Sequence, residues 1–595
     1  MLRHLFSLFA AAAFATAQNQ PAPNGKALFE KNCAVCHRPG AENRTPLPDQ
    51  LGQLSQQAIV ASLETGPMKA QGASLTPAER TAIARFLSKD ASLKTTNASS
   101  NMCPAGGSLK SIEGWNGWGV DLVNSRYQPA KAAGITSEDI PHLKLAWAFG
   151  FPNTLTVFGQ PTIAGGRLFF GSADGTIYSL NARTGCVYWT FKAPTTVRSP
   201  IAIGPLGKGY AAYFGDGQTN VYAINAETGE LIWRVKVDDH KLAGITGGPR
   251  LYNGRLYVPV RSGSEEMLAN NPQYRCCTFR GSVVALDAAT GKQIWKTFTI
   301  PDPPTTVRKN SAGTDLFGPS GAAVWSSPTI DVKRKAVYVG TGNNYSDPVT
   351  KYSDAVLAFD LDSGSLRWAT QLSPDVWTFS CSNPGKVNCP EKPDGDTDVG
   401  TPPILRTLPN GKDIIVVGQK SAVVHGLDPD KRGSIVWQQR IGKGSALGGV
   451  LWGLAADNDV VYAPLSDVLV PGGGGGLFAL KIATGEKVWA APPIEPACKG
   501  TKGCSPAQMA PATLINGAVF SAAMDGHLRA YSTADGTVIW DFDTTHDFDT
   551  VNGVKAHGGS MNATGPTIAD GMMFVNSGYA QLGGMSGNVL LAFTK

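Results

Sequence analysis

Charge is scarce in this chain. Asp, Glu, Lys and Arg make up 16% of its 595 residues, the formal net charge is +6, and the basic residues are scattered. Nucleic-acid recognition needs clustered Lys and Arg, so that class of partner is excluded. Long apolar runs are missing as well. Beyond the first 17 residues none approaches the ~18 apolar residues of a membrane helix. Low charge does not mean disorder here, because 42% of the residues are hydrophobic, enough to build a core. Gly (69) and Pro (40) are plentiful without a Gly-X-Y period, which excludes a collagen-like rod.

What is present starts at the N-terminus. Arg3 and His4 precede the apolar stretch Leu5 to Ala15, and Ala15-Thr16-Ala17 forms a small-x-small cleavage site before Gln18. Residues 1–17 read as a secretory signal peptide, too short to cross a bilayer, and predict a periplasmic or secreted mature protein. In that oxidising setting the ten Cys become candidates for bridges.

Cys33-Ala34-Val35-Cys36-His37 is the C-x-x-C-H pattern of covalent haem c attachment. Two thiols at this spacing meet the haem vinyls, and His37 binds iron. A bare C-x-x-C disulfide is the competing reading. The surroundings favour haem: a helix over Gly25 to Asn32 leads into the motif, and Met68 lies 31 residues after His37 as a sixth ligand. Thr76-Pro77-Ala78-Glu79 is a capping box opening a helix with Ile83, Phe86 and Leu87 on one face. His/Met ligation raises the potential and suits electron acceptance. Residues 18–90 are therefore expected to form a small all-α class I cytochrome c domain, and the Ser/Thr/Asn/Gly-rich 91–112 a linker.

From Trp147 onward one unit recurs: period-2 strands around a polar turn that ends in Gly, with Trp four residues later. Leu180 to Gly185 leads to Trp189, Ile224 to Gly229 to Trp233, Leu286 to Gly291 to Trp295, and Phe359 to Gly364 to Trp368. Gly433 precedes Trp437, Gly485 precedes Trp489, and Gly536 precedes Trp540. Trp147 stands alone at the start, and Asn588 to Phe593 is the strand left over at the end. Pairing the two closes a ring and removes its edges. Residues 113–595 are thus expected to form an all-β eight-bladed propeller, with the repeat tryptophans serving architecture and not chemistry.

This repeat, with an insertion-rich middle, resembles the quinoprotein alcohol dehydrogenases, which hold pyrroloquinoline quinone (PQQ) and Ca²⁺ on the propeller axis. The leading cytochrome, Gly114-Trp115-Asn116-Gly117-Trp118-Gly119 and Lys144 to Pro152 most resemble the polyvinyl-alcohol dehydrogenase branch, in which the cytochrome precedes the ring. The resemblance implies Ca²⁺ ligation by Glu265, in Ser262-Gly263-Ser264-Glu265, and by Asn343, in Gly340-Thr341-Gly342-Asn343. It implies that Trp325, 18 residues before Asn343, stacks on PQQ and that Lys420 touches the quinone carbonyl. Thr246 and Ser262 fall near positions that bond the PQQ carboxylates. A hard cation suits Glu and amide oxygens, and Lys420 would support the charge that develops as hydride arrives.

The family places its catalytic Asp directly after a Trp. At Ser373-Pro374-Asp375-Val376-Trp377-Thr378 that place holds Thr378, so Asp375 is the candidate base, with Glu265, Asp354 and Asp467 as alternatives. Lanthanide-type members carry an extra acid two residues further on, and here Ser380 stands there. The vicinal pair Cys276-Cys277 matches the family's strained disulfide ring over PQQ, at a different blade position. Spacing suggests Cys381–Cys389 and Cys498–Cys504 as loop staples, leaving Cys103 for Cys186. The implied activity is alcohol oxidation, with electrons passing through PQQ to haem and then to an external acceptor. A PQQ sugar or aldehyde dehydrogenase and a cofactor-free scaffold are the alternatives.

Overall fold

A computed structural model describes residues 23–38, 45–64, 66, 68–88, 101–104, 109, 111–262, 265–374, 381, 387–389, 395–471 and 474–595. The signal-peptide residues 1–17 and the candidate base Asp375 lie outside them, as do Trp377, Thr378 and Ser380.

The polar turns set the blades. In the first, Asn181 Oδ1 accepts from the Arg183 and Thr184 amides at 2.9 and 3.1 Å, and Gly185 enters the left-handed region at φ +69°. Asn225 does the same for Glu227 and Thr228. A side-chain oxygen that satisfies turn amides, followed by a Gly at positive φ, reverses the chain without strain. Each turn joins the third strand of a four-stranded antiparallel sheet to its outer fourth strand.

Eight such sheets follow one another. Their first strands are Thr162–Ala164, Ala202–Leu206, Arg250–Tyr252, Thr329–Asp331, Ile404–Thr407, Ala455–Ala456, Thr513–Ile515 and Thr567–Ala569. Outer strands such as Leu231–Lys236 expose alternate residues, whereas first strands such as Thr162–Ala164 are buried throughout, which puts them on the axis. The eighth sheet is completed from the front of the propeller: Lys144–Gly150 pairs antiparallel with Val589–Thr594, Lys144 opposite Thr594. The ring closes as its two unmatched strands predicted.

The repeat tryptophans fasten neighbouring blades. Trp189 Nε1 donates to the Ala226 carbonyl of the next turn at 3.1 Å, and its ring covers Gly229, where an added Cβ would meet it at 2.8 Å. Trp147, Trp233, Trp437 and Trp489 repeat the bond to Ala182, Ala288, Ile482 and Thr533. At Trp295 the equivalent carbonyl, Leu361, accepts instead from the Tyr257 hydroxyl at 3.2 Å, and the indole N–H is buried without a protein partner. The turn glycines thus satisfy two demands at once, a positive φ and room for an indole.

A feature not foreseen is the path of residues 114–128. Trp115 pairs with Ile163 of the first blade, and Asn116 exchanges bonds with Ile203 of the second. Arg250 of the third bonds Asn124. The Ile330 amide of the fourth donates to the Leu122 carbonyl, Leu405 of the fifth to Val123, Ala456 of the sixth to Ser125 and Leu514 of the seventh to Arg126. Gln128 Nε2 reaches the Ile568 carbonyl of the eighth at 2.9 Å. One segment therefore visits all eight first strands. Arg126 fills its centre between the Trp115 and Trp118 rings, 5.1 Å from each, and donates to the Trp118, Ala512 and Pro566 carbonyls and to Thr513.

The helices Gly25–Asn32, Gln56–Glu64 and Pro77–Leu87 pack around Phe29, Ile59, Leu63, Ile83 and Leu87. Asn24 caps the first, and Thr76 with Glu79 forms both bonds of the expected capping box. The four expected disulfides are present: Cys103–Cys186, Cys276–Cys277, Cys381–Cys389 and Cys498–Cys504.

Gly291 (φ +72°) lies under Trp233, 2.8 Å from where a Cβ would stand, whereas Gly411 (φ +78°) faces open space. Gly411→Ala should cost about 1 kcal/mol of stability from backbone strain alone. Gly291→Ala should cost a further ~1–3 kcal/mol from overpacking. Equal denaturation midpoints for the two variants would contradict the docking role of Trp233.

Candidate active site

Trp325 breaks the tryptophan register and does different work from the repeat set. It precedes the fourth blade's first strand, on a loop that ends near the axis. Its ring is edged by Gly342 and Gly400, and a Cβ on Gly342 would stand 2.7 Å from Asp398 Oδ1 and 3.4 Å from the indole nitrogen. Two glycines leave a flat aromatic surface free at its rim. Trp452, a second off-register tryptophan, meets it edge-on with ring centres 5.0 Å apart. Trp118, Phe158, Arg198, Thr246, Trp325, Ser326 and Trp452 line a narrow cavity.

Several polar atoms at this cavity lack partners among the described residues. Arg198 Nη2, Thr246 Oγ1 and Ser326 Oγ are buried without a hydrogen bond, as is Nε of the nearby Arg261. Arg198 lies 4.2 Å above the Trp452 ring. Burial lowers the Arg261 guanidinium to about 10, and the charge of Arg198 adds to this. Buried donors without acceptors are costly, and two cations held near each other call for an anion.

On another side of Trp325 the charges are paired. Lys420 Nζ lies 5.7 Å from the Trp325 ring centre. It donates to both oxygens of Asp396, at 2.8 and 3.0 Å, and to Asp398 Oδ2 at 2.7 Å. Burial alone would lower the ammonium, but Asp396 and Asp398 outweigh it and hold Lys420 protonated far above its ordinary range. The other oxygen of Asp398 accepts the Asn343 amide at 2.9 Å, bringing Asn343 into the same group.

The two neighbouring glutamates divide. Glu265 is buried, and its carboxylate accepts from Tyr274 Oη, the Thr278 amide and the Phe279 amide, at 2.8, 2.9 and 2.9 Å. It braces the loop that carries Cys276 and Cys277. Glu266 lies closer to the charged group. It accepts from Ser262 Oγ at 3.3 Å, while Ser262 also receives the Glu265 amide. Burial raises the Glu266 carboxyl above its ordinary value; Asp398 adds to this and Arg261 opposes it. Among the described residues no group of three acid, His or Cys side chains could hold a metal unaided, so a cation here needs amide or cofactor oxygens as well.

Cys276 and Cys277 are buried in the apolar cluster against which Trp325 packs. Of the alternative bases, Asp467 is spent on the Lys443, Gly444 and Gly449 amides. Sequence reasoning missed Asp396, Asp398, Glu266, Arg198, Arg261, Ser326 and Trp452. The signal available for Trp452 was that it, like Trp325, falls outside the repeat.

In the small domain Cys33 and Cys36 are not bridged. His37 is buried, and its Nδ1 lies 2.7 Å from the Pro46 carbonyl. That bond fixes the ring and leaves Nε2 for a metal. Burial lowers the imidazole below its ordinary value, and Lys502 adds to the effect. Met68 and Cys33 pack against the same helical core.

Three family models match. They are described as outer membrane protein assembly factor BamB (residues 144–275 and 420–556), glucose/ethanol/alcohol dehydrogenase beta-propeller domain (264–387) and cytochrome C oxidase cbb3-type subunit III (20–87). A solved quinohemoprotein alcohol dehydrogenase from Comamonas testosteroni superposes with TM-score 0.59 at 19% identity, covering 81% of this chain and 80% of that one. This likeness is one of fold. The polyvinylalcohol dehydrogenases of a Pseudomonas sp. and of Sphingopyxis sp. (strain 113P3) are each 40% identical over 96% of this chain, covering 93% and 92% of their own lengths. The chain belongs to the polyvinylalcohol dehydrogenase family, a branch of the PQQ-dependent alcohol dehydrogenases.

Proposed function

We propose that the chain is a periplasmic or secreted quinohaemoprotein that oxidises secondary alcohols, including those of polyvinyl alcohol, using PQQ and Ca²⁺. Its electrons go to its own haem c and then to an external one-electron acceptor. The observation that carries this reading is the pairing of Lys420 with Asp396 and Asp398 beside the Trp325 ring, opposite buried donors that lack partners. The residues fit the cofactor. Trp325 offers a flat surface, and Thr246, Ser326, Arg198 and Arg261 offer donors for its carboxylates. Four disulfides suit an oxidising compartment.

When bound, PQQ supplies a two-electron acceptor for the hydride of the alcohol carbon. The chain's residues hold the substrate proton and the charges. Asp396 is the base in this proposal: its carboxylate, kept anionic by Lys420, accepts the hydroxyl proton. Lys420 faces the growing negative charge with its ammonium. Glu266, Asn343 and Asp398 would provide oxygens for the cation in this proposal, while Glu265 braces the neighbouring loop. Each alcohol oxidised to a carbonyl releases two protons and two electrons, and Cys33, Cys36 and His37 would hold the haem that accepts electrons singly.

Asp396→Asn should retain PQQ and lower turnover about 10²–10⁴-fold, the usual contribution of a general base. Asp375→Asn should leave turnover nearly unchanged. The opposite result would return the base role to Asp375.

Dialysis against a strong chelator should abolish alcohol-dependent haem reduction, and Ca²⁺ with PQQ should restore it. Recovery with a trivalent lanthanide alone would overturn the calcium assignment and make Asp398 a ligand of that ion.

A further inference from the structure

The Trp325 site and the haem motif are joined by a continuous string of contacts. Trp452, edge-on to Trp325, donates its indole N–H to Asn562 Oδ1 at 2.6 Å. Asn562 Nδ2 points at the sulfurs of Met509 and Met524, at 3.3 and 3.6 Å. The Met524 carbonyl accepts from Ser560 Oγ at 2.6 Å, and the same hydroxyl lies 3.4 Å from the Gly503 carbonyl. Gly503 (φ +89°) belongs to the loop closed by Cys498–Cys504. A Cβ there would stand 2.6 Å from the Gly583 carbonyl and 2.8 Å from the Met585 amide, so only glycine lets the loop sit this close. The preceding residue, Lys502, reaches out of the propeller and donates to the Thr45 carbonyl at 3.4 Å. Thr45 Oγ1 bonds the carbonyl of Cys36, and the following residue, Pro46, holds His37.

We propose that this string, from Trp325 through Trp452, Asn562 and Met524 to the Cys498–Cys504 loop, is the route by which electrons leave the propeller for the cytochrome domain, and that Lys502 is the positioning residue at the crossing. The proposal rests on the quinohaemoprotein reading above. Electron tunnelling falls steeply across empty space, so bonded atoms and close contacts carry it best. Aromatic rings and thioether sulfurs, with their polarizable electrons, make up the first part of the string. The vicinal disulfide serves a different direction. Cys276 and Cys277 exchange backbone bonds with Phe317 and with the Tyr274 turn, in the insertions of the third and fourth blades, while Lys502 lies between the sixth and seventh. Each passage moves one electron and reduces one ferric haem to ferrous. Two passages, with an external one-electron acceptor reoxidising the haem between them, clear one alcohol, and its protons leave through Asp396 to solvent.

The test uses the full chain loaded with haem, PQQ and Ca²⁺. Haem reduction after mixing with a secondary alcohol is followed by stopped flow, and turnover with phenazine methosulfate, which takes electrons at the propeller directly, is measured in parallel. Asn562→Leu and the gentler Met524→Leu should slow haem reduction, the first by about tenfold or more, with dye-linked turnover within about twofold of the parent. Lys502→Ala should slow haem reduction several-fold and raise amide exchange across residues 45–51 in the resting protein; Lys502→Arg should restore both. Parent-like haem reduction in all these variants overturns the route alone. Dye-linked and haem rates falling together also overturn it, because the string would then belong to the site. A parent protein whose haem no alcohol reduces sinks the functional reading as well.

Discussion

Eight sheets meeting at one axis bring eight first strands edge to edge, each with backbone N–H and C=O groups turned toward a space that water cannot fill freely. Such groups must be paired or the ring does not form. Residues 114–128 answer this requirement, giving each blade at least one partner. Their side chains then fill the centre. Arg126 has no carboxylate partner among the described residues; burial lowers it to about 9, and three carbonyls, a hydroxyl and two indole faces share its charge. Trp118, fixed by this packing, becomes one wall of the cavity beside Trp325. The shape of the site thus depends on how the axis is satisfied.

The charges around Trp325 are arranged for function more than for stability. A buried ion pair seldom repays its desolvation, and apolar residues of equal volume would hold the ring as well. Yet Lys420 is buried between two carboxylates, with Glu266 close to one of them, while Arg198 and Arg261 lie near enough to act on each other's charge, each with one buried N–H unspent among the described residues. One side has acid to spare and the other has base to spare. A cofactor bearing carboxylates at one end and a metal-binding edge at the other resolves both excesses together, which neither a neutral ligand nor a bare cation does.

Much of this was legible in the sequence because it is periodic or local. The turn chemistry from Asn181 to Gly185 repeats, so blade number and ring closure follow from counting. Short loops bring Cys381 to Cys389 and Cys498 to Cys504, and the C-x-x-C-H motif and the capping box are fixed by spacing alone. The proposed base was harder to place. A Trp–Asp adjacency directs attention to the Trp377 segment, but here Gly395 precedes Asp396, and what recommends Asp396 is the reach of Lys420 across 24 residues of chain. Glu265 and Glu266 are adjacent and chemically alike. They part only when the amides of Thr278 and Phe279 claim one of them. The path of residues 114–128 carries no sequence period, because it matches eight different strands one residue at a time.

The order of domains gains a physical reason from these contacts. A cytochrome on a flexible tether would meet its donor only by diffusion within reach of the linker. Here the chain is pinned twice. Cys103–Cys186 fastens the segment after the haem domain to the first blade, where Met102 also bridges to Val187, and Lys502 meets Thr45 from the loop between the sixth and seventh. The first blade adjoins the eighth, and the Cys498–Cys504 loop packs on eighth-blade residues 583–585. One pin therefore falls on the first blade and the other beside the eighth, which adjoin in the ring. Under the proposed function, such pinning keeps the cytochrome beside the propeller from one turnover to the next.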